Sequence, residues 1–173
     1  LVAPFFITAL FFHADMFAEA KGWDVLVMAL GLGAYAVGRV IMAFVTGVLI
    51  DHFGALRLRP FVPLPLGLGM VALAWAPHPS FAPVYFALMG LGVGMTGTVG
   101  VALWAEAFGT EHYGAIKSMI TSLGIYSTAA APAIFGWMFD VGIAAESMLY
   151  VSALICVATG FMAWIAPQPK RPA

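Results

Sequence analysis

One charged side chain in this sequence stands where a charge is expensive. Arg39 lies inside an apolar stretch, twelve residues before Asp51. At 1.5 Å of rise per helical residue that places it about 18 Å from the charged end, too far for the side chain to stretch to water. Facing hydrocarbon it would cost at least about 2.5 kcal/mol, so it is expected to face a bundle interior or a wet cavity. Tyr35, one turn earlier, and Thr46, seven residues later, fall on the same helical face. A fixed cation beside a phenol can anchor an anionic solute. It can equally serve as a structural charge tied to a carboxylate or carbonyl.

Two further groups invite chemistry. His13 lies eight residues before Lys21 in another apolar run, and an imidazole that exchanges protons near neutral pH suits proton coupling. A packed structural histidine is the alternative. Ser118, Ser122 and Tyr126 line one stripe of a later segment, with Lys117, Thr121 and Thr128 on the next. Tyr126 is the candidate ligand contact there. The hydroxyls otherwise serve as glue between helices, worth about 0.6 kcal/mol each.

Enzyme chemistry lacks its parts. No cluster of His, Cys and carboxylates has metal-ligand spacing, and no glycine-rich loop carries the Lys-Ser/Thr of a phosphate site. Gly90-Leu91-Gly92-Val93-Gly94 imitates a nucleotide loop only in its glycines, because it sits in an apolar span. No catalytic residue, metal or other cofactor is expected. With no basic stripe to neutralise phosphates, nucleic acid is not an expected partner either.

The elements that position these residues follow from composition. Hydrophobic residues make up 63% of the chain, charged residues 9%, and the mean hydropathy is +1.01. A soluble domain needs about a quarter of its residues charged, so the expected solvent is the lipid bilayer. The fold class is therefore an all-α membrane protein, a six-transmembrane-helix bundle in one domain spanning 1–173. Spans of about 20 apolar residues are expected at about 1–18, 25–50, 61–76, 81–105, 115–139 and 144–166. Glycines at 31, 33, 38, 90, 92, 94 and 100 suit close helix packing, and Pro132 suits a kink. Cys156 is expected to pack as a small hydrophobe.

Basic residues in short loops stay on the cytoplasmic side. With residue 1 and the C-terminus cytoplasmic, Arg57, Arg59, Lys117, Lys170 and Arg171 fall inside and Lys21 alone falls outside. The expected setting is a bacterial inner membrane. The chain opens at Leu1, directly in apolar sequence, so the expected partner is a missing N-terminal half.

Gly47-x-x-x-Asp51 closes the second span and Gly136-x-x-x-Asp140 closes the fifth, three spans apart. Three is odd, so the two copies exit on opposite faces, as in an inverted repeat of three helices plus three. Gly47-x-x-x-Asp51-His52-x-Gly54-x-x-Arg57 resembles the loop signature between the second and third helices of each half of major facilitator superfamily transporters. His52 takes the place of an Arg there, and the final basic residue is displaced. The resemblance implies that the chain is helices seven to twelve of a twelve-helix carrier, moving a small solute with proton or ion coupling. It implies that Asp51 gates and does not touch solute. Arg39 narrows the resemblance toward monocarboxylate carriers and oxalate/formate-type antiporters, although Tyr35 stands where the former have an Asp. Two other readings stay open: a sensor or assembly subunit on the same scaffold, and a complete six-helix protein that dimerises.

Overall fold

The computed structural model describes residues 2–167, the side chain of Val25 excepted. Lys170 and Arg171, two of the residues behind the expected orientation, lie outside the described residues. In lipid every backbone N–H and C=O must find a partner within the chain, which selects helices. Among the described residues all regular structure is helical, as the composition predicts: α1 (Val2–Phe12), α2 (Ala14–Ala20), α3 (Val25–Phe53), α4 (Ala55–Leu58), α5 (Leu64–Trp75), α6 (Ala82–Phe108), α7 (Tyr113–Asp140) and α8 (Ala145–Ile165). Single 3₁₀ turns at Arg59–Phe61 and Pro79–Phe81 complete the set. Five stretches, Leu26–Phe53, Ala55–Trp75, Pro79–Phe108, Tyr113–Asp140 and Ala145–Ile165, are long and apolar enough to cross a membrane. With α1 and α2 taken as one bent pair there are six.

Two features depart from the expected spans. The third begins at Ala55 and not at Phe61, because α4 and the 3₁₀ turn lead directly into α5. Pro60, Pro63 and Pro65 sit at the starts of helical turns, where a missing N–H costs little. Arg57 therefore lies within a helix and not in a loop. The second departure is a 65° bend between α1 and α2 at His13. The helical run of α7, by contrast, passes uninterrupted through Pro132.

Packing follows pairs. The second span, α3, lies along the fourth, α6, while the first, α1, lies along the fifth, α7; α5 packs on both α6 and α8. Exchanging the two triplets of spans converts the first pairing into the second, as a three-plus-three arrangement requires. Both Gly-x-x-x-Asp helices also end in a left-handed glycine, Gly54 at φ 82° and Gly142 at φ 78°. The core holds Phe17, Phe86, Met70, Met89, Met148, Leu149 and Cys156, all fully buried. At the end opposite Arg57, Lys21 ties three spans together: its Nζ donates to the Ala74 carbonyl at 2.6 Å and lies 3.6 Å from Glu146 Oε1.

Burial is unequal. In the most apolar windows of α3 and α7 only 17% and 11% of residues are buried, against 39% for α6. These two helices keep broad faces uncovered by the chain itself.

Candidate functional site

Glycines on α6 set the position of Arg39. A Cβ added at Gly90 would strike the Tyr35 carbonyl oxygen and reach within 2.9 Å of the Arg39 backbone nitrogen. One added at Gly94 would strike the Arg39 carbonyl oxygen and reach within 3.0 Å of the Ala43 nitrogen. The backbone of Arg39 is thus held between two glycines one turn apart. Gly38 returns the contact, its absent Cβ leaving room for the Ala87 carbonyl oxygen at 2.6 Å. Gly31 and Gly92 are similarly crowded, against Phe86 and Leu66, whereas Gly33 and Gly100 face open space. Close approach therefore explains five of the seven glycines singled out for packing.

Beside this seam runs a groove of about 610 Å³ between α3 and α6. Arg39, Ala43, Gly47 and Asp51 line its α3 side at a spacing of four, and Val93, Gly97 and Val101 line the other at the same spacing. The exposed Arg39 stands at one end and the exposed Asp51 at the other, about 18 Å apart by helical rise. Three residues picked out by their sequence context, Arg39, Gly47 and Asp51, share this surface. Thr46 does not, since it is fully buried and its hydroxyl finds no partner among the described residues. Tyr35 is half-buried, its ring edge-on to Phe11 with centroids 5.2 Å apart.

At the Asp51 end the groove adjoins a second recess of about 560 Å³ lined by Asp51, His52, Gly54, Arg57 and Glu106. Glu106 closes it. Its Oε2 accepts from the backbone N–H of Ala55 at 2.7 Å and of Leu56 at 3.3 Å, so a carboxylate from the end of α6 caps the first turn of α4. Gly54 is required twice over. Its φ of 82° suits no other residue well, and a Cβ there would lie 2.9 Å from Glu106 Oε1. The loop signature is thereby fastened to the fourth span through the backbone. Nothing in the spacing of Gly47, Asp51 and Arg57 points to Glu106, because its partners are amide groups that any residue carries.

The sequence model of the Major Facilitator Superfamily matches residues 1–173. The chain belongs to that superfamily. It is therefore a multi-pass integral membrane protein from a family of transporters, not of enzymes. No curated protein and no solved structure matches it.

The remaining candidates of this superfamily member lie on the other helix pair. His13 is 8% exposed, at the elbow of the first span, and its Nε2 donates to the Pro132 carbonyl at 2.9 Å. Its ring also faces Phe139 at 5.7 Å and passes within 3.5 Å of where a Gly136 Cβ would be. The proline that marks α7 and the histidine that marks the first span are thus directly joined. Since a carbonyl can only accept, Nε2 is the donor in this contact. Asp140 is exposed at the end of α7. Tyr126 is 73% exposed on α7, which packs on α1, while Arg39 belongs to the α3–α6 pair. Within this chain the two do not form one constellation.

Proposed function

We propose that the chain forms one half of a secondary active transporter for a small organic anion, with Arg39 as the cationic anchor and Tyr35 beside it. The observation that supports this reading most is the α3–α6 groove, lined by Arg39 at one end and by Asp51, the gating residue in this proposal, at the other. The weakly buried faces of α3 and α7 support a partner half that covers them, Tyr126 included. A solute would then bind between the halves near the bilayer midplane. A second copy of the chain is the competing occupant of those faces, and the length of the complete gene product distinguishes the two. Coupling to a proton or ion is assigned to His13, the buried imidazole at the elbow. The bias of Arg57, Arg59 and Lys117 toward the Asp51 end supports a cytoplasmic location for that end in a bacterial inner membrane. Arg39 is also what supports kinship with oxalate/formate-type antiporters, and Tyr35 in place of an Asp weakens the monocarboxylate alternative.

Reconstitution of the complete gene product into vesicles, with uptake of labelled small mono- and dicarboxylates, tests the anchor. Losing a charge-assisted contact of about 1.5–3 kcal/mol lowers solute affinity about 10- to 100-fold, the result expected for Arg39→Leu. Arg39→Lys should retain part of it. Uptake unchanged in both variants removes Arg39 from the binding site. For the coupling role, His13→Gln keeps an N–H donor for the Pro132 carbonyl but cannot titrate. It is expected to leave folding intact and abolish the response of uptake to a pH gradient, and a retained response assigns coupling elsewhere.

A further inference from the structure

We propose that the groove between the α4–α5 turn and the C-terminal part of α8 is a binding site for one anionic phospholipid. The groove has a volume of about 440 Å³ and is lined by Arg57, Arg59, Phe61, Gly160, Phe161 and Trp164 among others. Its two cations lie at the end of a span, where headgroups are, and not at its middle. Arg59 donates through Nη2 to the Ala166 carbonyl, while its Nε is buried and has no hydrogen-bond partner among the described residues. The exposed Arg57 guanidinium on the same groove can reach a phosphate oxygen, and Arg59 adds its charge beside it. Gly160 makes the notch: a Cβ there would lie 2.6 Å from the Pro60 carbonyl oxygen, so α8 comes close to the turn that carries Arg59.

The rest of the groove is built for acyl chain and interface. Phe61 and Phe161 are each more than half exposed and Trp164 is 73% exposed, a girdle of aromatics at the level of the two arginines. After Glu146, α8 has no charged residue through Ile165, and Leu154, Val157, Phe161 and Met162 are all exposed. A face of that kind borders hydrocarbon and not solution, which is why the occupant is a lipid. The charge complement to Arg57 and Arg59 makes it an anionic one.

Native mass spectrometry of the complete gene product, offered equal amounts of phosphatidylglycerol and phosphatidylcholine, provides the test. A cation near the membrane surface is worth about 1 kcal/mol toward an anionic lipid, or about fivefold. The expected result is preferential retention of phosphatidylglycerol, a loss of about fivefold in Arg57→Gln, and a loss of about 25-fold in Arg57→Gln/Arg59→Gln. Arg57 is exposed, so the single variant decides the matter should the double variant fail to fold. Equal retention of both lipids by the wild type overturns the proposal, as does retention in Arg57→Gln equal to wild type. Displacement of phosphatidylglycerol by millimolar inorganic phosphate also overturns it, by showing a site for a free anion.

Discussion

Gly94→Val is expected to prevent the α3–α6 pair from assembling and to leave little folded protein in the membrane. The new Cβ meets the Arg39 carbonyl oxygen, the Ala43 nitrogen and the Met42 Cβ. Two of these three are backbone atoms and cannot swing aside. Overpacking of a tight core typically costs about 1–3 kcal/mol, and here the relief available is separation of two long helices along their whole contact. Even Gly94→Ala should lower stability, because the clash begins at Cβ. Gly97→Val is the control. Gly97 lines the same groove but has no atom within 4 Å of its Cβ position, so that variant should fold. Yield of monodisperse protein on size exclusion checks both, and a well-folded Gly94→Val would show that the seam is not tight.

The second large effect concerns Glu106. Removing its carboxylate leaves the amides of Ala55 and Leu56 without their acceptor at the start of α4, and unfastens the signature loop from α6. Lost capping and charge–dipole terms sum to about 2 kcal/mol for Glu106→Ala. Glu106→Gln keeps an oxygen for the amides and forfeits mainly the charge, about 1 kcal/mol. Thermal unfolding in detergent should rank wild type above Glu106→Gln above Glu106→Ala. Equal melting temperatures for all three would mean that the cap contributes nothing.

Which parts of this molecule could be read from residues alone depended on whether the cost was local. Six apolar runs had to become helices because lipid offers backbone amides no other partner. Arg39 stood out because a charge is penalised by its own depth, whatever surrounds it, and Asp51 because Gly-x-x-x-Asp recurs at Gly136 and Asp140. The crowded glycines were readable as a class, yet only the crossing of α3 and α6 separates Gly90 and Gly94, which are pressed on backbone, from Gly33 and Gly100, which touch nothing. Glu106 was illegible because it acts 51 residues away on backbone groups that have no letter in the sequence. The third stretch was expected to start at Phe61 because Arg57 and Arg59 read as a loop, whereas they sit on α4 and the 3₁₀ turn that lead into α5. Tyr126 and Arg39 could each be proposed, but the division of the six spans into separately packed pairs is a property of the whole chain.

The elbow at His13 has a consequence for how the first span is tied to the fifth. Residue 13 is neither proline nor glycine, and the backbone bonds that flank it, His13 to Ala9 at 3.1 Å and Phe17 to His13 at 3.0 Å, are intact. The turn of 65° is local: His13 itself leaves helical geometry at φ −108° and ψ 26°, and the Met16 N–H just beyond it is taken by Asp15 Oδ1 at 2.8 Å. At the bend the imidazole meets the Pro132 carbonyl, 119 residues further along the chain. The first and fifth spans are therefore joined at the elbow itself, so that a displacement of either is passed to the other through a single imidazole.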